Sequence, residues 1–265
     1  MSWSSPLGRM IAWALIAVVV AVLYLPMVPP ALFSLNEAGP AAALRQPTLH
    51  WYSEIWANAV LVGAMWTSLA AALIVGLVAP VLGLLAALAV RELKMPRLVL
   101  LVILSPLFVP GVSMGLSSAL FFRQLGIPPS LLTISIVHVL WALPFATLII
   151  LTVMAGFDPV FLEAAYVLGA NRWRAFRDVE LPLISPGIVG AGTFAMILSF
   201  NETERTALVE GPLNTVQTYI WSTYKQVGLS LSLYAMMSLL ILLTLVMVAL
   251  FSAAAFWRER RRNHT

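Results

Sequence analysis

Between residues 55 and 90 the chain carries no charged side chain, and further uncharged runs cover 10–33, 98–122, 131–157, 181–200 and 227–257. Runs of that length cannot be solvated as surface helices, and lipid accepts only segments that satisfy their own backbone hydrogen bonds. The sequence therefore specifies a polytopic helical membrane protein. Composition agrees: 61% of residues are hydrophobic, 10% are charged and mean hydropathy is +0.96, against about 25% charged residues in an ordinary soluble domain. Strands of a membrane barrel would alternate apolar and polar residues, which these runs do not.

Six spans are expected. The first, 10–33, follows Arg9 and is longer than a signal-peptide core, so it reads as an uncleaved span that Pro26, Pro29 and Pro30 bend or end. As one helix, 55–90 would extend about 54 Å at about 1.5 Å per residue, well past a hydrocarbon layer of roughly 30 Å. It is resolved here into an interfacial segment around Trp51, Trp56 and Asn58 and a second span over 66–90. Arg91, Lys94 and Arg97 form a basic turn, and spans three (98–122) and four (131–157) are separated by Gly126, Pro128 and Pro129. Pro106, Pro110 and Pro144 predict kinks. The fifth, 181–200, is short and loses its first residues to Pro182 and Pro186, so its far end must be polar or shielded by protein. The sixth, 227–257, precedes the basic tail Arg258, Arg260, Arg261 and Arg262.

Charge sets the expected orientation. With both termini in the cytoplasm, Arg9, Arg91, Lys94, Arg97, Arg172, Arg174, Arg177, Arg258, Arg260, Arg261 and Arg262 are inside, eleven residues, against four outside, Arg45, Arg123, Arg205 and Lys225. The calculated pI near 9.8 is thus a topology signal and not a nucleic-acid footprint. The chain has no cysteine, which removes disulfides, thiolate nucleophiles and cysteine metal sites. No catalytic or metal-ligating set is assigned. The sequence lacks His-Glu-x-x-His, an aspartate pair in the spans, or an arguable Ser/His pair, which argues against a membrane protease. It also lacks convincing internal repeats, which argues against a stand-alone secondary transporter.

The polar stretch between spans four and five reads Glu163-Ala164-Ala165, three residues, Gly169, nine residues, Val179, one residue, Leu181-Pro182. This resembles the EAA loop of binding-protein-dependent ABC importer permeases, with Val179 where isoleucine is usual. The local chemistry fits such an element. Asp158 and Pro159 suit a helix start, Gly169 a left-handed stop and Asn171 a second cap, with the second helix ending before Leu181-Pro182. The small face of Ala164 and Ala165 would admit a partner backbone, and Glu163 with Arg172, Arg174 and Arg177 would anchor it. An amphipathic connector is the plain alternative.

The resemblance implies an all-α type I importer permease fold: one permease domain over 1–265, with 158–182 as its coupling loop. Glu163, Ala164, Ala165, Gly169, Ala170, Leu181 and Pro182 would then carry coupling to the ATPase. The implied partners are two ATPase subunits, a homologous permease, an extracytoplasmic solute-binding protein and the lipid of a bacterial inner membrane. No cofactor is expected in this chain, ATP and magnesium belonging to the ATPase; neither Lys94 nor Lys225 lies in a phosphate-binding Gly-Lys-Ser/Thr turn. The run Ser199-Phe200-Asn201-Glu202-Thr203-Glu204-Arg205 with Gly211-Pro212 resembles the spermidine/putrescine subgroup, while iron, thiamine, opine and phosphonate permeases are related. That resemblance makes Ser199, Asn201, Glu202 and Glu204 candidates for the translocation path. A simple helix end returning to water competes with it. His138, the only ionisable group well inside an apolar run, is a further candidate, against a plain hydrogen-bonded packing role.

Overall fold

The computed structural model describes residues 6–37, 47–93 and 95–262, without the side chains of Leu7 and of 247–262. Arg45 and Lys94 of the charge count lie outside the described residues, as do the side chains of Arg258, Arg260, Arg261 and Arg262. Among the described residues there is no strand, only an isolated bridge between Asn36 and Pro47.

Every expected apolar run is helical over most of its length. Helix α1 (Pro6–Tyr24) passes through a 3-10 turn at Leu25–Met27 into α2 (Val28–Ser34), so the early prolines tighten this span without ending it. Helix α3 (His50–Ala57) stops at Asn58, whose backbone turns extended, and α4 (Ala59–Glu92) follows. The second span thus begins at Ala59 and not near Trp66, because nothing between them breaks a helix.

The third span is broken. Helix α5 (Pro96–Leu104) and a 3-10 turn (Ser105–Phe108) meet α6 (Gly111–Gln124) at an angle of 101°. Val109, preceding Pro110, is forced extended at φ −90°, ψ 123°. Then come α7 (Leu131–Ala155), α8 (Val160–Val167), α9 (Arg172–Ala175), a π-helical turn (Phe176–Glu180), α10 (Leu181–Phe200), α11 (Thr206–Val209), α12 (Val216–Val227) and α13 (Leu231–Arg262).

One expectation is overturned here. The loop's second helix does not end before Leu181-Pro182 but runs as one 29-residue helical stretch, Arg172–Phe200. A proline interrupts a helix by withholding an N–H. The π turn, in which the Leu181 N–H reaches back to the Phe176 carbonyl, changes the bonding register just before Pro182 and lets the helix continue.

The chain divides into two compact units, Met1–Ala59 with Thr223–Thr265, and Val60–Ser222. In the first, α2 and α3 pack on α13, with Phe33 edge-on to Tyr234 and a hydroxyl cluster of Ser34, Tyr52 and Ser238 at 2.6–3.4 Å. The second is centred on α4, α7 and α10, whose shared core is mostly alanine: Ala79, Ala87, Ala142, Ala146, Ala191 and Ala195, with Val75 and Ile150. Small residues let membrane helices approach until backbones touch, and this contact replaces the hydrophobic drive that lipid removes. A methyl on Gly192 would lie 2.7 Å from the Gly76 carbonyl, and one on Gly83 would lie 3.1 Å from Ala146.

Candidate functional site: the two polar ends of the fifth span

At the end that follows α7, each turn is made by a local device. Asp158 Oδ1 accepts the Val160 N–H at 3.0 Å and starts α8. The helix closes with two reversed bonds, Gly169 N–H to the Tyr166 carbonyl and Ala170 N–H to the Ala165 carbonyl, both at 3.0 Å. That closure requires a left-handed residue, and Gly169 supplies it at φ +86°. Asn171 Oδ1 then accepts the Arg174 N–H at 2.9 Å and starts α9.

The resulting helix, turn, helix projects apolar side chains outward. Val167 is 88% exposed, Leu168 87% and Trp173 64%. Exposed apolar side chains grouped on a polar segment are available to a partner. Glu163, Ala164 and Gly169 are exposed with them, and Ala170 is half-buried. Ala165 is not: it faces inward at 9% exposure, because adjacent helix positions point about 100° apart, so the two alanines do not form one face. The arginines do not gather round Glu163 either. Arg177 pairs with Asp178 at 2.6 Å, and Arg172 approaches Glu92 at 3.8 Å. Leu181 is half-buried and Pro182 exposed, at the start of α10.

The opposite end of α10 turns its charges inward. Glu202 and Arg205 are each 7% exposed and bonded Nη1 to Oε2 at 2.7 Å. Glu202 Oε1 also accepts the Arg205 N–H at 3.0 Å, and the guanidinium lies 3.9 Å above the Trp141 ring. His138 spans three elements, Nδ1 at 2.8 Å from Ser199 Oγ and Nε2 at 2.7 Å from Thr206 Oγ1. Thr206 donates to the Glu202 carbonyl at 3.0 Å, so its oxygen accepts from Nε2–H, and a neutral imidazole satisfies every partner. His138 therefore straps α7 to both sides of the α10 end and is buried, at 1% exposure.

Asn201 and Glu204 remain at the surface. Gly111 and Gly115 of α6 make room for this cluster: a methyl on Gly111 would strike the Glu204 carboxylate, and one on Gly115 would lie 3.0 Å from the Arg205 Cα. Glu210, 8% exposed, accepts from Thr218 Oγ1 at 2.7 Å. Burial pushes its carboxyl above the usual range, opposed by that hydrogen bond. Sequence reasoning missed Trp141 and Arg205 as partners and the pair Arg91 with Glu180; the signal available was a charge at the rim of an apolar run, which names no partner.

Residues 79–264 match the family described as the binding-protein-dependent transport system inner membrane component. The chain belongs to this family. It is 26% identical over 98% of both chains to the spermidine/putrescine transport system permease protein PotC of Escherichia coli (strain K12). It is also 26% identical to the putrescine transport system permease protein PotI of the same organism, over 83% of this chain and 81% of that protein. A crystal structure of a bacterial ABC transporter involved in the import of the acidic polysaccharide alginate shares the fold, with TM-score 0.62 at 15% identity over 96% of this chain and 98% of that one. The chain is thus an all-helical, membrane-spanning permease of the inner-membrane family, and the matched region includes both ends of α10.

Proposed function

We propose that this chain is one of two permease subunits of an ATP-driven importer of polyamines such as spermidine and putrescine. A solute-binding protein delivers the solute outside, and two ATPase subunits bind ATP and magnesium inside. The reading is carried by residues 158–180, which fold into a two-helix projection whose apolar tip, Val167, Leu168 and Trp173, is exposed. Such a tip suits insertion into a groove of an ATPase subunit, with Glu163, Ala164, Gly169, Ala170, Leu181 and Pro182 shaping its approach and Ala165 holding it together from within. The chain itself supplies the pore and no catalysis, and works as one permease domain. The choice of solute follows the names of the relatives that match the chain end to end.

Reconstitution in liposomes with its permease partner, ATPase and binding protein should give ATP-dependent uptake of labelled spermidine. Uptake of spermidine no faster than without ATP would remove the reading. The charge distribution further supports cytoplasmic termini and a cytoplasmic 158–180. Because the chain has no cysteine, a cysteine placed at Ala170 should resist impermeant maleimide in intact cells and react once the membrane is opened. Labelling from outside would invert the orientation.

A further inference from the structure

We propose that the ion pair between Arg91 and Glu180 is the strut through which movement of the 158–180 projection reaches the second span. The proposal rests on the reading that this projection docks on an ATPase subunit. Glu180 closes the π turn just ahead of Leu181-Pro182, at a position that the EAA pattern leaves open, and is 1% exposed. A carboxylate so buried requires a charged or hydrogen-bonding partner. It finds Arg91 Nη1 from the last turn of α4, a helix distant in sequence. The same guanidinium donates from Nε to Glu92 Oε1 at 3.1 Å, and Glu92 Oε2 lies 3.8 Å from Arg172 Nη2.

The segment from Arg172 to Glu180 is therefore clipped to the end of α4 at both of its ends. The Arg172 clip is exposed and contributes little; the Glu180 clip joins a carboxylate side chain 2% exposed to a guanidinium side chain 39% exposed, so removing Arg91 strands a buried carboxylate. Spans four and five move with the projection by chain continuity, and Gly187 of α10 packs against Val153 of α7, where an added methyl would lie 2.8 Å from its Cβ. Span two lies side by side with α7 and α10 in the alanine core, Gly76 against Gly192 and Gly83 against Ala146, but has no chain continuity with the projection. Among the described residues its polar ties to this segment pass through Arg91 and Glu92, and the π turn between is a place where a helix changes register.

The test compares Arg91→Gln, Glu180→Gln, the double variant and Arg91→Lys in the reconstituted complex, reading spermidine imported per ATP hydrolysed. Both single variants and the double variant should lower that ratio about tenfold with subunits still co-purifying, within the usual range of coupling between sites. Arg91→Lys, which keeps the charge, should retain most of it. Should the pair serve folding alone, the double variant, which leaves no orphaned charge, would recover the parent ratio and overturn the proposal. Failure of the double variant to assemble, or parent ratios in the single variants, would overturn it equally. A nitroxide on a cysteine replacing Leu93 supplies a readout independent of solute. Its spectrum should change on ATP binding in the parent and not in Glu180→Gln. An ATP response without spermidine uptake would refute the solute reading and leave the strut standing, whereas an equal response in Glu180→Gln would refute the strut.

Discussion

At its two ends α10 joins polar segments of similar content and opposite arrangement. Before it, 158–180 leaves Glu163, Arg174, Val167, Leu168 and Trp173 exposed and buries little beyond Ala165, Ala175 and Glu180. After it, 199–210 encloses Ser199, Glu202, Arg205, Thr206, Val209 and Glu210. A segment shaped by local caps holds its form without a core and so can offer its apolar side chains to another protein. A segment held by distant partners, such as Trp141 over Arg205, is already docked on its own chain. Charge in a membrane protein thus does not by itself mark a working surface; its partner must be found first.

The comparison breaks most visibly at Glu202. Removing one partner of a buried ion pair strands the other and costs about 3–5 kcal/mol. Glu202→Ala should therefore lower the melting temperature of the detergent-solubilised protein markedly and reduce uptake of every solute in parallel, since Arg205 is left over Trp141 without its carboxylate. An unchanged melting temperature with a selective loss of amine uptake would make both ends of α10 working surfaces.

At the other end, Gly169 separates conformation from contact. A Cβ there would meet no atom within 4 Å, yet φ is +86°. Gly169→Val should misdirect α9 through backbone strain alone, of about 1–2 kcal/mol, lowering the melting temperature by only a few degrees while reducing ATP-driven uptake roughly tenfold. Gly169→Asn, tolerated in left-handed positions, should keep most of the activity. Equal uptake by the valine variant and the parent would show that the projection's exit angle is irrelevant to coupling.

What the sequence disclosed divides along the same line. The loop was legible because Asp158, Gly169 and Asn171 act on backbone groups a few residues away, and the apolar runs were legible because lipid leaves helices no alternative. The break of the third span followed from Pro110. The continuous entry into α10 was not legible, since a π turn leaves no local signature and Pro182 alone predicts a stop. Nor were the partners of buried charges: His138 could be placed inside a span, but Thr206 and Ser199 reach it only through the folded crossing of α7 and α10. The expectation that the far end of span five is polar or shielded by protein named no partner; for Glu202 that partner is Arg205, three residues on.

The smallest effect is expected at Glu204, and it sharpens the comparison within the second segment. Two residues from Glu202, this carboxylate stays exposed, over Gly111 of α6, while its neighbour is enclosed. Of the acids Glu202, Glu204 and Glu210, Glu204 alone keeps an exposed carboxylate that could meet a passing cation, and water and salt screen its field. Glu204→Gln should then reduce uptake of spermidine at most about tenfold, or about 1.4 kcal/mol, with an unaltered melting temperature and a difference that shrinks as salt is raised. Its contrast with Glu202→Ala is qualitative: one variant changes an amine's passage and spares the fold, the other changes the fold and spares no solute. Spermidine kinetics identical to the parent at low and at moderate salt would return Glu204 to the role of a solvated helix end and leave 199–210 as an entirely internal clasp.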